Sequence, residues 1–165
     1  MVTRLGRQLA AGLNQLLQQL TRMQWLNPAD AIQIRIFDLQ MSMGMSAMMG
    51  TASNSHTING KAMDMQRIDE VVKLGDTEIW QLQNSSMMPH PFHMHDVQFQ
   101  ILDRNGIKPP ANEQGRKDIV LVQPGEVVRI IMRFEDYADG SPFMYHCHIL
   151  EHEDAGMMGQ FVVVA

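Results

Sequence analysis

From Ala31 to the last residue the chain is written in short alternating apolar–polar runs, cut at close intervals by strong turn formers. "IQIRIFDL", "EIWQLQN", "VQFQILD", "DIVLV" and "VVRIIMRF" each place apolar residues on one side of a pleated strand, and the chain closes on "QFVVV". The breaks fall at Gly75-Asp76, Asn105-Gly106 and Pro124-Gly125. Many short strands with tight turns predict an antiparallel β-sandwich or barrel. With 165 residues, 45% of them hydrophobic and 19% charged, the chain is sized for one domain with a proper core.

The first 27 residues have a different texture. Leu5, Leu9, Leu13, Leu16, Leu17 and Leu20 recur at helical spacing, which predicts an amphipathic helix ending before Asn27-Pro28. Residues 1–27 are therefore expected as a helical extension or linker, and 28–165 as the folded domain. Asn14, Gln15, Gln18 and Gln19 interrupt the apolar run, so the stretch does not read as a secretory signal. No apolar run approaches the ~18 residues of a membrane span. A net charge of −5 without a basic cluster argues against a nucleic-acid partner, and the compartment stays open.

Six of the seven histidines fall in two clusters, "HPFHMH" (His90, His93, His95) and "HCHILEH" (His146, His148, His152). The second holds the single cysteine, Cys147, which excludes an internal disulfide. On a strand, neighbouring side chains point to opposite faces. His146 and His148 should thus share one face while Cys147 takes the other, and His93 and His95 should also share a face. One strand could then serve two metal sites. Two histidines, a cysteine and a weak axial methionine make a blue-copper electron-transfer site, for which Cys147, His152, Met157 and His90 are the inventory. His93, His95, His146 and His148 remain for a second copper site. Zinc also takes histidine and cysteine, yet rarely methionine, and a Cys-His nucleophile leaves Met157 and "HPFHMH" without a role.

"HPFHMH" followed by "HCHILEHEDAGMM" resembles the last two copper motifs of the multicopper oxidases, the family of laccases, cuprous oxidases and bilirubin oxidases; "INGKAMDM" (Ile58 to Met65) is similar to its bacterial branch. The resemblance implies a cupredoxin-like Greek-key β-sandwich. It implies His90, Cys147, His152 and Met157 as type 1 copper ligands, His93 as a type 2 ligand and His95, His146 and His148 as type 3 ligands. A small electron donor, phenolic or Cu(I), would feed the type 1 copper, and the trinuclear cluster would reduce O2 to water, with Glu153 suited to relaying protons.

The trinuclear cluster of the family takes twice as many histidines as this chain offers it. The missing ones are expected from N-terminal cupredoxin domains or from a second copy of the chain. Relatives are often found in the cell envelope. The rival function is a non-enzymatic electron carrier or copper-binding module using the type 1 site alone; an inactive remnant is a third. His56, alone in "ASNSHTING", is expected in an exposed loop. Sixteen methionines are many for this length, and five of them, Met41, Met43, Met45, Met48 and Met49, form a run. As thioethers they suit either flexible packing or Cu(I) collection, in which Met87 and Met88 could share.

Overall fold

The computed structural model describes residues 22–42, 56–136 and 138–165. The leucine-patterned stretch Leu5 to Leu20 and the methionine run beyond Met41 lie outside them. The described residues form eleven strands: β1 (Ala31–Met41), β2 (His56–Ile58), β3 (Glu70–Lys73), β4 (Thr77–Asn84), β5 (His90–Met94), β6 (Phe99–Arg104), β7 (Arg116–Lys117), β8 (Ile119–Val122), β9 (Val127–Arg133), β10 (Pro142–Cys147) and β11 (Met158–Val164). Among the described residues the one α-helix is short, α1 (Leu150–Asp154), and it sits between the last two strands; Pro28–Asp30 and Ala111–Glu113 are single 3-10 turns. The strands form two sheets, β2-β1-β4-β9-β6-β7 and β3-β11-β10-β5-β8, stacked as a cupredoxin-like Greek-key sandwich.

The pairing is not wholly antiparallel. β1 runs parallel to β4 and β3 parallel to β11. Parallel neighbours need a long crossover, and the chain from β1 to β4 supplies one by visiting β2 and β3 on the way. The expected turns are present: Asn105 and Gly106 both have positive φ (51° and 77°), as a tight hairpin turn requires.

Aromatic rings join the sheets. Phe37 of β1 stacks on Trp80 of β4 at 4.3 Å, and Tyr145 of β10 meets Phe37 edge-on at 5.0 Å and Trp80 at 5.7 Å. All three are buried, and Cys147 and Met157 belong to the same core cluster. Gly159, opposite Tyr145 on β11, leaves room for that ring, because a Cβ there would collide with the phenol.

The "INGKAMDM" segment also finds its reason here. Asn59 and Gly60 make a tight turn with φ of 54° and 72°, and the Asn59 side chain bonds to the β1 backbone at Asp38 N–H and Ile36 C=O. Beyond the turn, Met63 N–H donates to Gly156 C=O, and a Cβ on Gly156 would press on Ala62. The motif thus buttresses the loop that carries Met157. Residues 24–26 lie along β6, with the Leu26 N–H donating to the Gln100 side chain and the Gln100 amide donating to Gln24 C=O. Among the described residues no helix is long and apolar enough to cross a membrane.

Candidate metal centres

The register of β5 against β10 builds both histidine sets. His93 pairs directly with His146, and Phe92 with Cys147. Directly opposed residues of an antiparallel pair share a face. His93 and His146 therefore project together on one side, while Cys147, Phe92 and the first residue of β5, His90, turn to the interior.

On the interior side three donors converge. His90 Nδ1 and His152 Nδ1 are 3.2 Å apart, and Cys147 Sγ is 3.5 Å from each. Imidazole and thiolate donors bound to one metal at about 2.0–2.3 Å, in trigonal to tetrahedral geometry, stand roughly 3.3–3.7 Å apart. The triangle fits a single ion without rearrangement, and a soft thiolate with two imidazoles suits copper. His152 is brought in by α1, one turn beyond Cys147. Met157 is fully buried, and its backbone ties to both: its N–H donates to His152 C=O, and its C=O accepts from Cys147 N–H.

Burial sets the protonation of this site. Desolvation, reinforced by the neighbouring His152, lowers the His90 pKa to about 4. Desolvation likewise lowers His152, and it pushes the Cys147 thiol up to about 11 against the Ile149 backbone N–H, which favours the thiolate. Both imidazoles and the thiol are thus neutral at pH 7. A cation at the centre of the triangle would reverse the balance at sulfur.

On the other side, ligand atoms of His93, His95 and His146 lie within 4.8 Å of one another, and the Nε2 atoms of His95 and His146 are 3.3 Å apart. His93 Nδ1 is 2.9 Å from the Asp118 carbonyl, so it is the protonated nitrogen and leaves Nε2 free. Burial and the surrounding imidazoles hold His95 below its ordinary pKa. His148 is exposed and stands outside this triangle, although its ring neighbours those of His93 and His146 at 5.5 Å. Glu153, on α1, places Oε2 3.3 Å from His146 Nδ1. A shallow depression of roughly 460 Å³, lined by His93, His95, Asp96, Asp118 and Phe143, opens beside the cluster.

His56 is not an exposed loop residue. It begins β2, is half-buried and stacks on His152 with ring centres 4.3 Å apart. A strand of three residues has too little alternation to be seen in a sequence, and its stretch has a loop's composition. Met41 is the last residue of β1, opposite His56, while Met87 and Met88 lie on the surface before His90. Ser86, whose Oγ is 2.6 Å from His90 Nε2, is a further contact of the triangle that residue spacing does not signal.

Comparison with known proteins matches the geometry. The multicopper oxidase family model covers residues 36–165. The multicopper oxidase mco of Staphylococcus haemolyticus is 44% identical over 111 residues, covering 65% of this chain and 24% of that protein. A laccase of Haloferax volcanii is 48% identical over 112 residues, 66% of this chain and 19% of that one. The multicopper oxidase of Campylobacter jejuni, described as a metallo-oxidase, superposes with a TM-score of 0.78 at 34% identity, covering 92% of this chain and 33% of that one. The chain therefore spans a quarter or less of these curated relatives and a third of the solved structure.

Proposed function

The chain belongs to the multicopper oxidase family, and on that premise we propose that it is the electron-accepting domain of a copper-dependent oxidase. The observation that carries the proposal is the buried triangle of His90 Nδ1, Cys147 Sγ and His152 Nδ1, backed by a histidine cluster on the opposite face of the same strand. His90, Cys147, His152 and Met157 would hold a type 1 copper, His93 would serve a type 2 copper, and His95, His146 and His148 would serve the type 3 pair. Copper bound in these places supplies one-electron exchange with a phenolic or Cu(I) donor at the first site and reduction of O2 to water at the second.

The chain's own residues supply the connection and the protons. Cys147 is bonded through its peptide links to both His146 and His148, so the thiol side and the imidazole side communicate through a few covalent bonds. Its thiol gives up its proton on metal binding, and the Ile149 N–H favours the resulting thiolate. The contact of Glu153 with His146 supports a role in holding a proton beside the cluster. The remaining histidines of that cluster come from other domains of the oxidase or from a second copy of this chain.

The test is anaerobic loading with Cu(I), followed by reoxidation, with copper content, visible spectrum and oxygen uptake read on one sample. A strong blue thiolate-to-copper band that disappears in Cys147→Ser is expected. About one copper per chain without oxygen uptake means the chain alone exchanges electrons, the carrier reading, and needs its partner for O2 chemistry. More copper with oxygen consumed means it completes the cluster by self-association. Absence of the blue band refutes the assignment of Cys147.

A further inference from the structure

We infer that Asn84 and Ser86 are positioning residues that fix the proton of His90 on Nε2 and so present the Nδ1 lone pair to the thiol triangle. The inference rests on the reading of His90 as a copper ligand, but its evidence is a hydrogen-bond arrangement that closes without any metal.

Asn84 is buried, 2% exposed. Its Nδ2 lies 2.7 Å from the Met88 carbonyl and 3.0 Å from the Val122 carbonyl, both of which can only accept. Its Oδ1 receives the Ser86 N–H at 2.9 Å. The flipped amide would set oxygen against two oxygens and nitrogen against an N–H, so the orientation is forced.

Two oxygens that can only accept face the Ser86 hydroxyl, Asn84 Oδ1 at 2.8 Å and the Met88 carbonyl at 3.1 Å, so its proton lies toward one of them. A hydroxyl has one proton and two lone pairs. Met88 N–H donates to one lone pair at 3.3 Å, and His90 Nε2, at 2.6 Å, faces the other. Nothing remains on Ser86 to donate to His90, so the imidazole must donate to it. His90 is then the Nε2–H tautomer, and its unprotonated Nδ1 faces Cys147 Sγ and His152 Nδ1. Every polar atom of Asn84 and Ser86 is used, at a site where an unpaired group would be costly. The partner of the second ring nitrogen is what commonly orients a histidine ligand.

The arrangement also explains a local oddity. The run "NSSMMPH" leads out of β4 and returns into β5, and a buried serine in such a turn has no packing value. Here it spans the two strands, because Asn84 ends β4 and His90 begins β5. The turn is tied to β8 as well, through Val122.

The test uses the metal-free full chain labelled with 15N, at pH 8, where His90 is neutral. Long-range 1H–15N correlation distinguishes the two tautomers directly. An Nε2–H tautomer at His90 is expected; an Nδ1–H tautomer overturns the inference, and this measurement needs no variant. Ser86→Ala is expected to mix the tautomers and to weaken cobalt(II) binding at the triangle by about 10–100-fold. Ser86→Thr, which keeps the hydroxyl, restores both. Unchanged tautomer and unchanged cobalt affinity in Ser86→Ala overturn it too. The two readings separate cleanly. An Nε2–H tautomer in a chain that never gives the blue copper band sinks the oxidase proposal alone, and the blue band with an Nδ1–H tautomer sinks this inference alone.

Discussion

Gly159→Ala offers a quantitative probe of the packing around the strand that carries Cys147. A Cβ at position 159 would meet the Tyr145 phenol oxygen and two ring carbons at distances no pair of unbonded atoms tolerates. The ring cannot simply lift away, because Phe37, Trp80 and Phe92 surround it at centroid distances of 5.0, 5.7 and 5.9 Å. Overpacking of this kind costs about 1–3 kcal/mol. With a urea dependence of about 2 kcal/mol per M, the unfolding midpoint should fall by roughly 0.5–1.5 M. The structure makes a sharper prediction for the Tyr145→Ala background. There the obstruction is gone, and Gly159 does not have a positive φ, so the same substitution should stabilise by a few tenths to about 1 kcal/mol through the unfolded chain. The sign of the effect reverses, giving a coupling of about 1.5–4 kcal/mol in a double-mutant cycle. Equal effects in the two backgrounds would refute the reasoning, since a general intolerance of alanine in β11 would not depend on Tyr145.

Three further outcomes are expected. Arg35 binds buried Glu78 through Nε at 2.7 Å and Nη2 at 2.9 Å, so Arg35→Met should cost about 3–5 kcal/mol by stranding that carboxylate, and adding Glu78→Gln should recover much of the loss in chemical denaturation. His90 is driven from 6.5 to about 4 in the folded chain, so the unfolded state binds more protons in that window; metal-free protein should lose up to about 3 kcal/mol from His90 as pH falls from 6.5 to 4, a loss absent in His90→Asn, and a flat difference between the two proteins would contradict it. His56→Ala removes the ring stacked on His152 and should cost about 0.5–1.5 kcal/mol while speeding diethylpyrocarbonate modification of His152 in the metal-free chain several-fold; His56→Phe should restore protection.

What could be read from the sequence was what repeats locally. Alternation in "VVRIIMRF" and the Asn105-Gly106 turn specify β9 and a hairpin because a strand and a tight turn are decided within a few residues. Cys147, His152 and His90 were recognisable because their chemistry is rare and their spacing tight. The parallel partnership of β1 with β4 was hidden, since it depends on the path of the chain between them. The same is true of β2, β3 and β7, strands of two to four residues that exist only because a neighbour offers hydrogen bonds. His56 begins one of these strands, so its stretch reads as a loop although the ring stacks on His152. Ser86 and Asn84 escaped notice because their importance lies in which atoms face which across a buried turn, and no spacing rule encodes it. His148 shows the converse: its motif is plain, yet this chain alone does not draw it into the cluster.

The pleat of β10 has a consequence for how such a site can change over time. Because Cys147 faces inward while His93 and His146 face outward, the sheet is a partition one peptide thick with a separate compartment on each side. Residues can be lost, exchanged or lent to a partner on the outer side without disturbing the packed interior. An insertion or deletion of a single residue within the strand is different: it would turn Cys147 out and His146 in, and take a donor from each compartment at once. The strand can therefore change only by substitution, and the same holds for the short connection after it, whose length sets His152 and Met157 against Cys147.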